Sequence, residues 1–255
     1  MTRPTGRINV TGVDVDLLGI DSVVNTIIAW TNQDTSRVAI GVNANVCNLA
    51  ADSPDFARLV SAADLRYADG QSIVWAARLL GGRIPERVAT TDLIKPLAET
   101  AERLGKRIFL LGAAPGVASA ASRELQRLFP RLQITAFHGY FPSEATESVL
   151  ENISLFSTDI LLVGMGDPRQ QEWVSCHRTQ ISAPAILTCG GLFDWISGNN
   201  RRAPRWMIRL GLEWLWRMMI EPKRLTGRYL RGNPKFLARL LSQRLLRKES
   251  SECHD

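Results

Sequence analysis

The sequence predicts an α/β fold: a Rossmann-like, mainly parallel sheet with helices on both faces, followed by a basic helical C-terminal appendage. From residue 37 to residue 189, short runs of aliphatic and β-branched residues alternate with longer segments of helical periodicity. Several of these runs end in glycine, or in an acid followed by glycine. Alternation at this spacing indicates βαβ units, whose right-handed crossovers build a doubly wound parallel sheet.

The predicted elements follow one another in a regular order. Residues 7–20 alternate enough to predict a short hairpin or edge strands, and a helix follows near 21–30. The strands predicted for the sheet are 37–44, 65–68, 106–111, 132–137, 159–163 and 183–189. The helices predicted between them are 46–51, a second after Ser53-Pro54, 71–80, one from Thr90 through Arg103, 117–128, 143–154 and one that contains Gln170.

The segment 201–248 differs in composition from the rest of the chain. It holds fourteen Lys or Arg against two acids, a local charge of +12, whereas the 255-residue chain carries +6. Three of the seven Trp lie in it, namely Trp206, Trp214 and Trp216. We therefore predict two domains: an α/β domain at 1–198, which we expect to be catalytic, and an aromatic-rich appendage at 199–255.

This basic segment predicts an anionic partner. The simplest alternative is a solvated helical tail that packs an apolar side on the body. Trp and Arg together suit the headgroup level of a membrane, so an anionic membrane surface is the partner that we expect for 201–248. Nucleic acid ranks lower, because no recognised nucleic-acid motif accompanies the basic residues, and we expect none to bind. A homo-oligomer stays open.

The cysteines and the apolar segments indicate a compartment. Cys47, Cys176, Cys189 and Cys253 are scattered and form no CxxC pair, which argues against a disulfide framework or a zinc site and favours a reducing cytoplasm. The first residues show no apolar stretch of the signal-peptide type. The most apolar helical candidate, 206–220, is interrupted by charges and too short to span a bilayer. We expect a cytoplasmic protein that meets a membrane only at its surface.

Polar residues and glycines follow the predicted strands, at the edge where α/β proteins place their chemistry. Asp69 follows strand 65–68, and by itself it is either a helix cap or a catalytic group. The glycine loops after four strands suggest a nucleotide cleft, although tight turns explain each loop alone. Loop 112–116 lacks the Lys-Ser/Thr of a Walker A motif. Asp14-Val15-Asp16 resembles a metal-binding DxD motif, but a solvated strand face is the simpler interpretation.

A set of motifs occurs in one order along the chain. The motifs are YADG at 67–70, PERV at 85–88, IFLLGAAPGVA at 108–118, GMGDPRQ at 164–170, GGLFD at 190–194 and RRAPRWMIRLGLEWLWRMMIEPKR at 201–224. With them the sequence resembles the WecG/TagA/CpsF family of bacterial glycosyltransferases over residues 8–235. A pattern with this many parts is far more specific than any one of its motifs.

The resemblance implies a reaction and a place in the cell. Members of the family transfer a sugar from a UDP-sugar to a sugar attached to polyprenyl diphosphate, with inversion at the anomeric carbon and without a metal or another cofactor. They act at the cytoplasmic face of the membrane, on intermediates of teichoic acid, common antigen, capsule or exopolysaccharide. The appendage is expected to close over the site and to touch the membrane. The sequence does not select the donor sugar.

The resemblance also assigns residues. It makes Asp69 the general base, and Asn43, Gln170, Arg217 and Arg224 substrate-binding residues. We add four residues from strand ends and the tail to the predicted substrate-binding set: Gly112, Gly166, Asp194 and Arg228.

The chain departs from the family pattern at three positions. A frequent Thr of the family is Gly41 here, a Gly after PERV is Thr90, and the acid of a PxQE motif is Gln171. These departures concern contacts with the sugars more than the reaction class.

The chemistry of an inverting transfer agrees with this set of residues. One carboxylate suffices to take the proton of the acceptor hydroxyl. Without a metal, backbone amides and arginines must meet the charge of the leaving diphosphate. Arg217 and Arg224 lie seven residues apart, and we expect Pro222 to bend the helix between them.

Overall fold

The computed structural model describes residues 6–252, except for the side chains of Arg205, Arg209, Arg224 and residues 248–252. Its centre is a six-stranded parallel sheet in the order β4-β3-β8-β7-β5-β6, and an antiparallel hairpin of β1 and β2 lies beside it. The strands are β1 (Arg7–Val10), β2 (Val13–Asp16), β3 (Arg37–Val42), β4 (Leu65–Ala68), β5 (Arg107–Gly112), β6 (Gln133–Phe137), β7 (Ile160–Gly164) and β8 (Ala185–Thr188).

Helices connect the strands and then form the C-terminal part of the chain. They are α1 (Ile20–Trp30), α2 (Ala44–Asp52), α3 (Pro54–Ser61), α4 (Gln71–Leu79), α5 (Thr90–Arg103), α6 (Val117–Leu128), α7 (Thr146–Leu155), α8 (Arg169–His177), α9 (Leu192–Ile196), α10 (Arg205–Arg209), α11 (Glu213–Ile220) and α12 (Pro222–Glu252). A single 3-10 turn, Ser143–Ala145, precedes α7. The predicted hairpin and the predicted order of strands and helices are confirmed.

Alternate residues of each central strand face opposite layers of helices. On β7, Ile160 and Leu162 join a core with α1, α5 and α6, whereas Leu161 and Val163 join a second core with α7 and α8. The strands are buried on both faces, which accounts for their unbroken apolar sequences. The predicted Rossmann-like sheet with helices on both faces is therefore confirmed.

Several element boundaries differ from the predictions by one or two residues, and the end of β3 shows a local reason. The strand predicted to run to residue 44 ends at Val42, because Asn43 turns the chain and caps α2 with its side chain. The tail does not form one helix through Arg217 and Arg224. It breaks at Glu221, and Pro222 begins α12, as expected for a residue that lacks an amide hydrogen and is tolerated at the first helical position.

Helix α12 packs on the body of the protein. Phe236 and Leu240 are buried in a third core that also contains the hairpin and helices α2, α3 and α4. Lys235 and Arg239 donate hydrogen bonds to Asp52, and these bonds lower the pKa of that carboxyl. Much of α12 is thus built into the fold, and the division at residues 198 and 199 stays a prediction. Across residues 6–252, no helix combines the length and the apolar character that crossing a bilayer requires.

Candidate active site

A cavity of about 580 Å³ opens at the carboxyl ends of β3, β4 and β8 and beside the loop after β7. Further walls come from α2, α4, the first turn of α5, α9, α11 and α12. The side of the cavity near the sheet is polar, because it is lined by the residues that follow the strands. The side between α4 and α12 is largely apolar, and it includes Trp75, Leu79 and Leu237.

Asp69 lies in this cavity, directly after β4. Its backbone amide donates to the carbonyl of Val42 on the neighbouring strand, at 2.9 Å. Carboxylate oxygen Oδ1 accepts from the backbone amide of Thr90 at 2.8 Å and from the Thr90 hydroxyl at 3.2 Å. Oxygen Oδ2 accepts from Nδ2 of Asn43 at 3.3 Å. Neighbours on β3 and α5 therefore fix the orientation of the carboxylate.

Asn43 has two structural tasks at this point. Its side-chain oxygen accepts from the amides of Asn45 and Val46, at 3.0 and 3.2 Å, and so caps α2. Its side-chain nitrogen faces Asp69. The neighbouring strands β3 and β4 bring these two residues together from positions 26 apart in sequence, as expected for carboxyl ends of parallel strands.

Gln170 links two of the loops that line the cavity. Its side-chain nitrogen donates to Asp167 at 2.8 Å, and its side-chain oxygen accepts from the amide of Gly190 at 2.9 Å. The residue is 97 % shielded from solvent, since its exposed fraction is 3 %. Gly166, two residues after β7, also lines the cavity and has φ of 78°, a conformation that favours glycine. Both predicted residues thus shape the loops after β7 and β8.

Two predicted arginines reach the cavity from the C-terminal helices. The guanidinium of Arg217 on α11 lies 5.0 Å from the centre of the Trp195 ring, a cation–π geometry. Burial alone would lower the pKa of Arg217, but Tyr229, Asp69 and Glu213 outweigh it and raise that pKa. Arg228 on α12 lies 3.8 Å from the Asp167 carboxylate.

Helix α11 is held over the sheet by a further ion pair. Glu213 contacts Arg87 at 2.7 Å, and each side chain is only 12 % exposed. Arg87 also binds Asp92, at 3.0 Å. Arg87 lies in the PERV motif and Asp167 in the GMGDPRQ motif, but neither was predicted to be a site residue. Their presence in these motifs is the sequence feature from which they could have been predicted as site residues.

Two predicted site residues do not line the cavity, and the position of a third side chain is not described. Gly112 and Asp194 are not among the residues that line the cavity. The Arg224 side chain lies outside the described part of the structure.

Gly112 and Asp194 have local structural contacts instead. Gly112 has φ of 147°, and a Cβ there would stand 2.3 Å from the carbonyl oxygen of Gly164, so the close approach of β5 and β7 requires glycine. The backbone carbonyl of Asp194 accepts from the amide of Asn200 at 2.9 Å.

The DxD-like pair in the hairpin also has a structural explanation. Asp16 is fully buried, so the solvated strand face expected for this pair is wrong for Asp16, which accepts from the Arg7 side chain at 2.7 Å and from the amide of Arg66 at 2.8 Å. Asp14 accepts from Asn9 at 2.8 Å. Among the described residues, no cluster of three or more His, Cys, Asp or Glu is arranged to hold a metal ion. Metal independence stays a prediction.

Comparisons with known proteins place the chain in a family. The model of the Glycosyl transferase WecG/TagA/CpsF family matches residues 8–250. Curated relatives from Staphylococcus aureus strains NCTC 8325 / PS 47, COL and MW2 are 31% identical over 238 residues, which is 92% of this chain and 92% of each relative. Each of them is named N-acetylglucosaminyldiphosphoundecaprenol N-acetyl-beta-D-mannosaminyltransferase. The chain belongs to the WecG/TagA/CpsF family of glycosyltransferases, as its motifs predicted.

Proposed function

We propose that this enzyme transfers a sugar from a UDP-sugar to a sugar carried on polyprenyl diphosphate, with inversion and without a metal, in the synthesis of a cell-surface polysaccharide. The acceptor hydroxyl oxygen bonds to the anomeric carbon of the donor, and its proton passes to Asp69. The bond between that carbon and the diphosphate breaks, and its electron pair leaves with UDP. One positioned carboxylate is enough for this step, because no glycosyl–enzyme intermediate forms.

The observation that carries the proposal is the position of Asp69. Its carboxylate lies in the cavity and is fixed through Oδ1 by two hydrogen bonds from Thr90. A catalytic carboxylate must be held in place and must also reach the substrate, and Asp69 meets both requirements.

Arg217 and Arg228 are the groups that we assign to the diphosphate of UDP or of the acceptor. Both line the cavity, and their guanidinium groups can pair with phosphate oxygens in a bidentate way. Arg217 is already oriented by Trp195, so less rotational freedom is lost when it binds an anion. Asn43 and Gln170 position the loops that border the same space.

The apolar side of the cavity supports an acceptor carried on a lipid. Trp75 on α4 is 50% exposed and Leu237 on α12 is 53% exposed, and both line the cavity. An isoprenoid chain would cover such surface, whereas a free sugar would leave it in water. The relatives' name places their acceptor sugar on diphosphoundecaprenol, which is a lipid of this kind. The same name makes N-acetylmannosamine the first donor sugar to test.

The test is sugar transfer from a panel of UDP-sugars to a synthetic polyprenyl diphosphate-linked N-acetylglucosamine, with and without EDTA. We expect transfer from one donor, no loss of rate with EDTA, and loss of transfer in Asp69→Asn. Sensitivity to EDTA would contradict metal independence. Full activity of Asp69→Asn would contradict the role of Asp69, and transfer to free sugars as efficient as to the lipid-linked acceptor would contradict the acceptor class.

We also propose that segment 201–248 holds the enzyme on the inner face of the plasma membrane. Large apolar residues of the segment are exposed, among them Trp206, Leu230, Leu241 and Leu245. Basic residues between them add about 1 kcal/mol each near an anionic surface. Lys235 and Arg239 are already paired with Asp52, so Arg231 and Arg244, which have no ion pair with another described residue, are the better candidates.

Vesicle co-sedimentation tests the membrane contact. Removal of the whole segment would also remove the buried Phe236 and Leu240, so point variants are preferable. The double variant Arg231→Glu and Arg244→Glu should bind phosphatidylglycerol vesicles more weakly than the parent, most clearly at low salt. The matched control reverses the exposed Arg123 and Arg127 on α6. Equal losses in both double variants would show a net-charge effect and contradict the assignment to this segment.

A further inference from the structure

A chain of hydrogen bonds runs from the interior of the protein to the carboxylate of Asp69. The hydroxyl of Tyr67 on β4 lies 3.0 Å from the hydroxyl of Thr90, and the Thr90 hydroxyl lies 3.2 Å from Oδ1 of Asp69. Tyr67 is fully buried and Thr90 is 8 % exposed. Thr90 borders the cavity, whereas Tyr67 lies in the interior and does not line it.

The chemistry of the three groups fixes the direction of these bonds. An ionised carboxylate only accepts hydrogen bonds, so the Thr90 hydroxyl must donate its single proton to Asp69. The Thr90 oxygen then accepts from Tyr67, which keeps its own proton. Burial raises the pKa of Tyr67 well above its ordinary value, and the nearby charge of Asp69 raises it further. Hydrogen bonds arranged in series polarise and strengthen one another.

The two oxygens of Asp69 are consequently not equivalent. Oδ1 accepts two hydrogen bonds from Thr90, at 2.8 and 3.2 Å. Oδ2 accepts one longer bond, 3.3 Å, from Asn43. Oδ2 has the greater remaining capacity to accept a proton, because a carboxylate oxygen carries two lone pairs.

We propose that Thr90 and Tyr67 are positioning residues that fix Oδ1 of Asp69, so that Oδ2 is the atom that takes the proton of the acceptor hydroxyl. The inference rests on the proposed function of Asp69 as general base. Neither Thr90 nor Tyr67 needs to touch the sugar. They act by holding the plane of the carboxylate in one orientation until the acceptor arrives.

The space around the carboxylate agrees with this assignment. A Cβ at Gly41 would stand 3.0 Å from Cβ of Asp69 and 3.1 Å from the Tyr67 hydroxyl. A side chain there would press on both ends of the hydrogen-bond chain. Gly41 and Thr90 are also two of the positions where this sequence departs from the family pattern. Both departures therefore lie beside one carboxylate: Thr90 supplies a hydroxyl to Asp69, and Gly41 leaves room for the side chains of Asp69 and Tyr67.

Three other titratable groups lie around Asp69, and the changes at Thr90 leave all three in place. Tyr67 faces it from β4, Cys189 from the end of β8 and Arg217 from α11. Burial, and secondly the charge of Asp69, raise the pKa of the Cys189 thiol well above its ordinary value, so this group stays neutral. A change at Thr90 removes one donor to Asp69 and leaves the three titratable groups in place.

The test compares Thr90→Val, Thr90→Ser and Tyr67→Phe in the full-length enzyme. Valine keeps the size of threonine and the backbone amide bond to Asp69 but removes the hydroxyl. We expect Thr90→Val to lower kcat about tenfold, the effect of one charge-assisted hydrogen bond, with little change in KM.

The companion variants separate positioning from a general structural effect. Thr90→Ser should restore kcat, and Tyr67→Phe should lower kcat less than Thr90→Val does, again with little change in KM. Thr100→Val, on the same helix α5 and away from the cavity, is the matched control. A folded Thr90→Val enzyme with the parent's kcat would overturn the proposal, and so would failure of Thr90→Ser to restore activity. Full turnover in Asp69→Asn would instead overturn the proposed function.

Discussion

The loops after β4 and β5 look alike in sequence, yet they differ in the structure. Each places glycine and small residues at the end of a buried strand. After β4, the side chain of Asp69 enters the cavity and is held by Thr90 and Asn43. At the end of β5, Gly112 lies outside the cavity lining, and a Cβ there would strike the backbone of β7. The glycine at the end of β5 is explained by the close approach of two strands. The carboxylate after β4 is instead held by hydrogen bonds inside a cavity, as a group that acts on a substrate would be.

Asp69→Asn should give the largest effect on catalysis. Asparagine keeps the size of the side chain and an oxygen for the Thr90 amide, but it cannot accept the proton of the acceptor hydroxyl. We expect kcat to fall about 10²–10⁴-fold, the usual contribution of a general base. UDP affinity by isothermal titration calorimetry should stay close to that of the parent. A loss of UDP affinity as large as the loss of kcat would move Asp69 from catalysis to donor binding.

Gly112→Ala should lower the stability of the fold without changing the catalytic step. The added Cβ would meet the Gly164 carbonyl oxygen, and φ of 147° is strained for alanine. We expect the free energy of unfolding to fall by about 3 kcal/mol, measured by urea denaturation. Turnover per folded molecule should be retained. Gly116→Ala is the control in the same loop, since it has positive φ but open space around it; its cost should be about 1 kcal/mol. Equal costs would contradict the packing explanation for Gly112.

Asn43→Ala should give the smallest effect, and it should lower both stability and kcat. It removes the cap of α2, at a cost of about 1 kcal/mol. It also removes the side-chain nitrogen that faces Asp69, so kcat should fall severalfold. Ser53→Ala removes the corresponding cap of α3, where Ser53 accepts from the amide of Phe56. That variant should lose similar stability and keep the parent's kcat, and a matching loss of kcat in both would show that Asn43 acts only through stability.

The sheet could be predicted from the sequence because the signals for strands and helices are local. Apolar runs, helical periodicity and caps such as Ser53 report bonds between near neighbours, and these located most of the strands and helices. Asp69 and Asn43 could also be placed together, because carboxyl ends of adjacent parallel strands share one edge.

The remaining contacts depend on tertiary packing. Thr90 binds Asp69 from 21 residues away, and Arg87 meets Glu213 across 126 residues. Local periodicity carries no information on such pairs. The same limit explains the tail: its charge was evident from sequence, but the burial of Phe236 and Leu240 against α2 and the hairpin was not.

The most direct test of the account is a structure of the enzyme with UDP and a short-chain analogue of the lipid-linked acceptor. We predict that the reacting hydroxyl of the acceptor lies about 3 Å from Oδ2 of Asp69, a distance suitable for proton transfer. Oδ1 should remain on the Thr90 amide and hydroxyl, and Arg217 or Arg228 should contact a diphosphate. An acceptor hydroxyl bound at another side chain, with Asp69 turned away from it, would contradict the assignment of Asp69 as the general base.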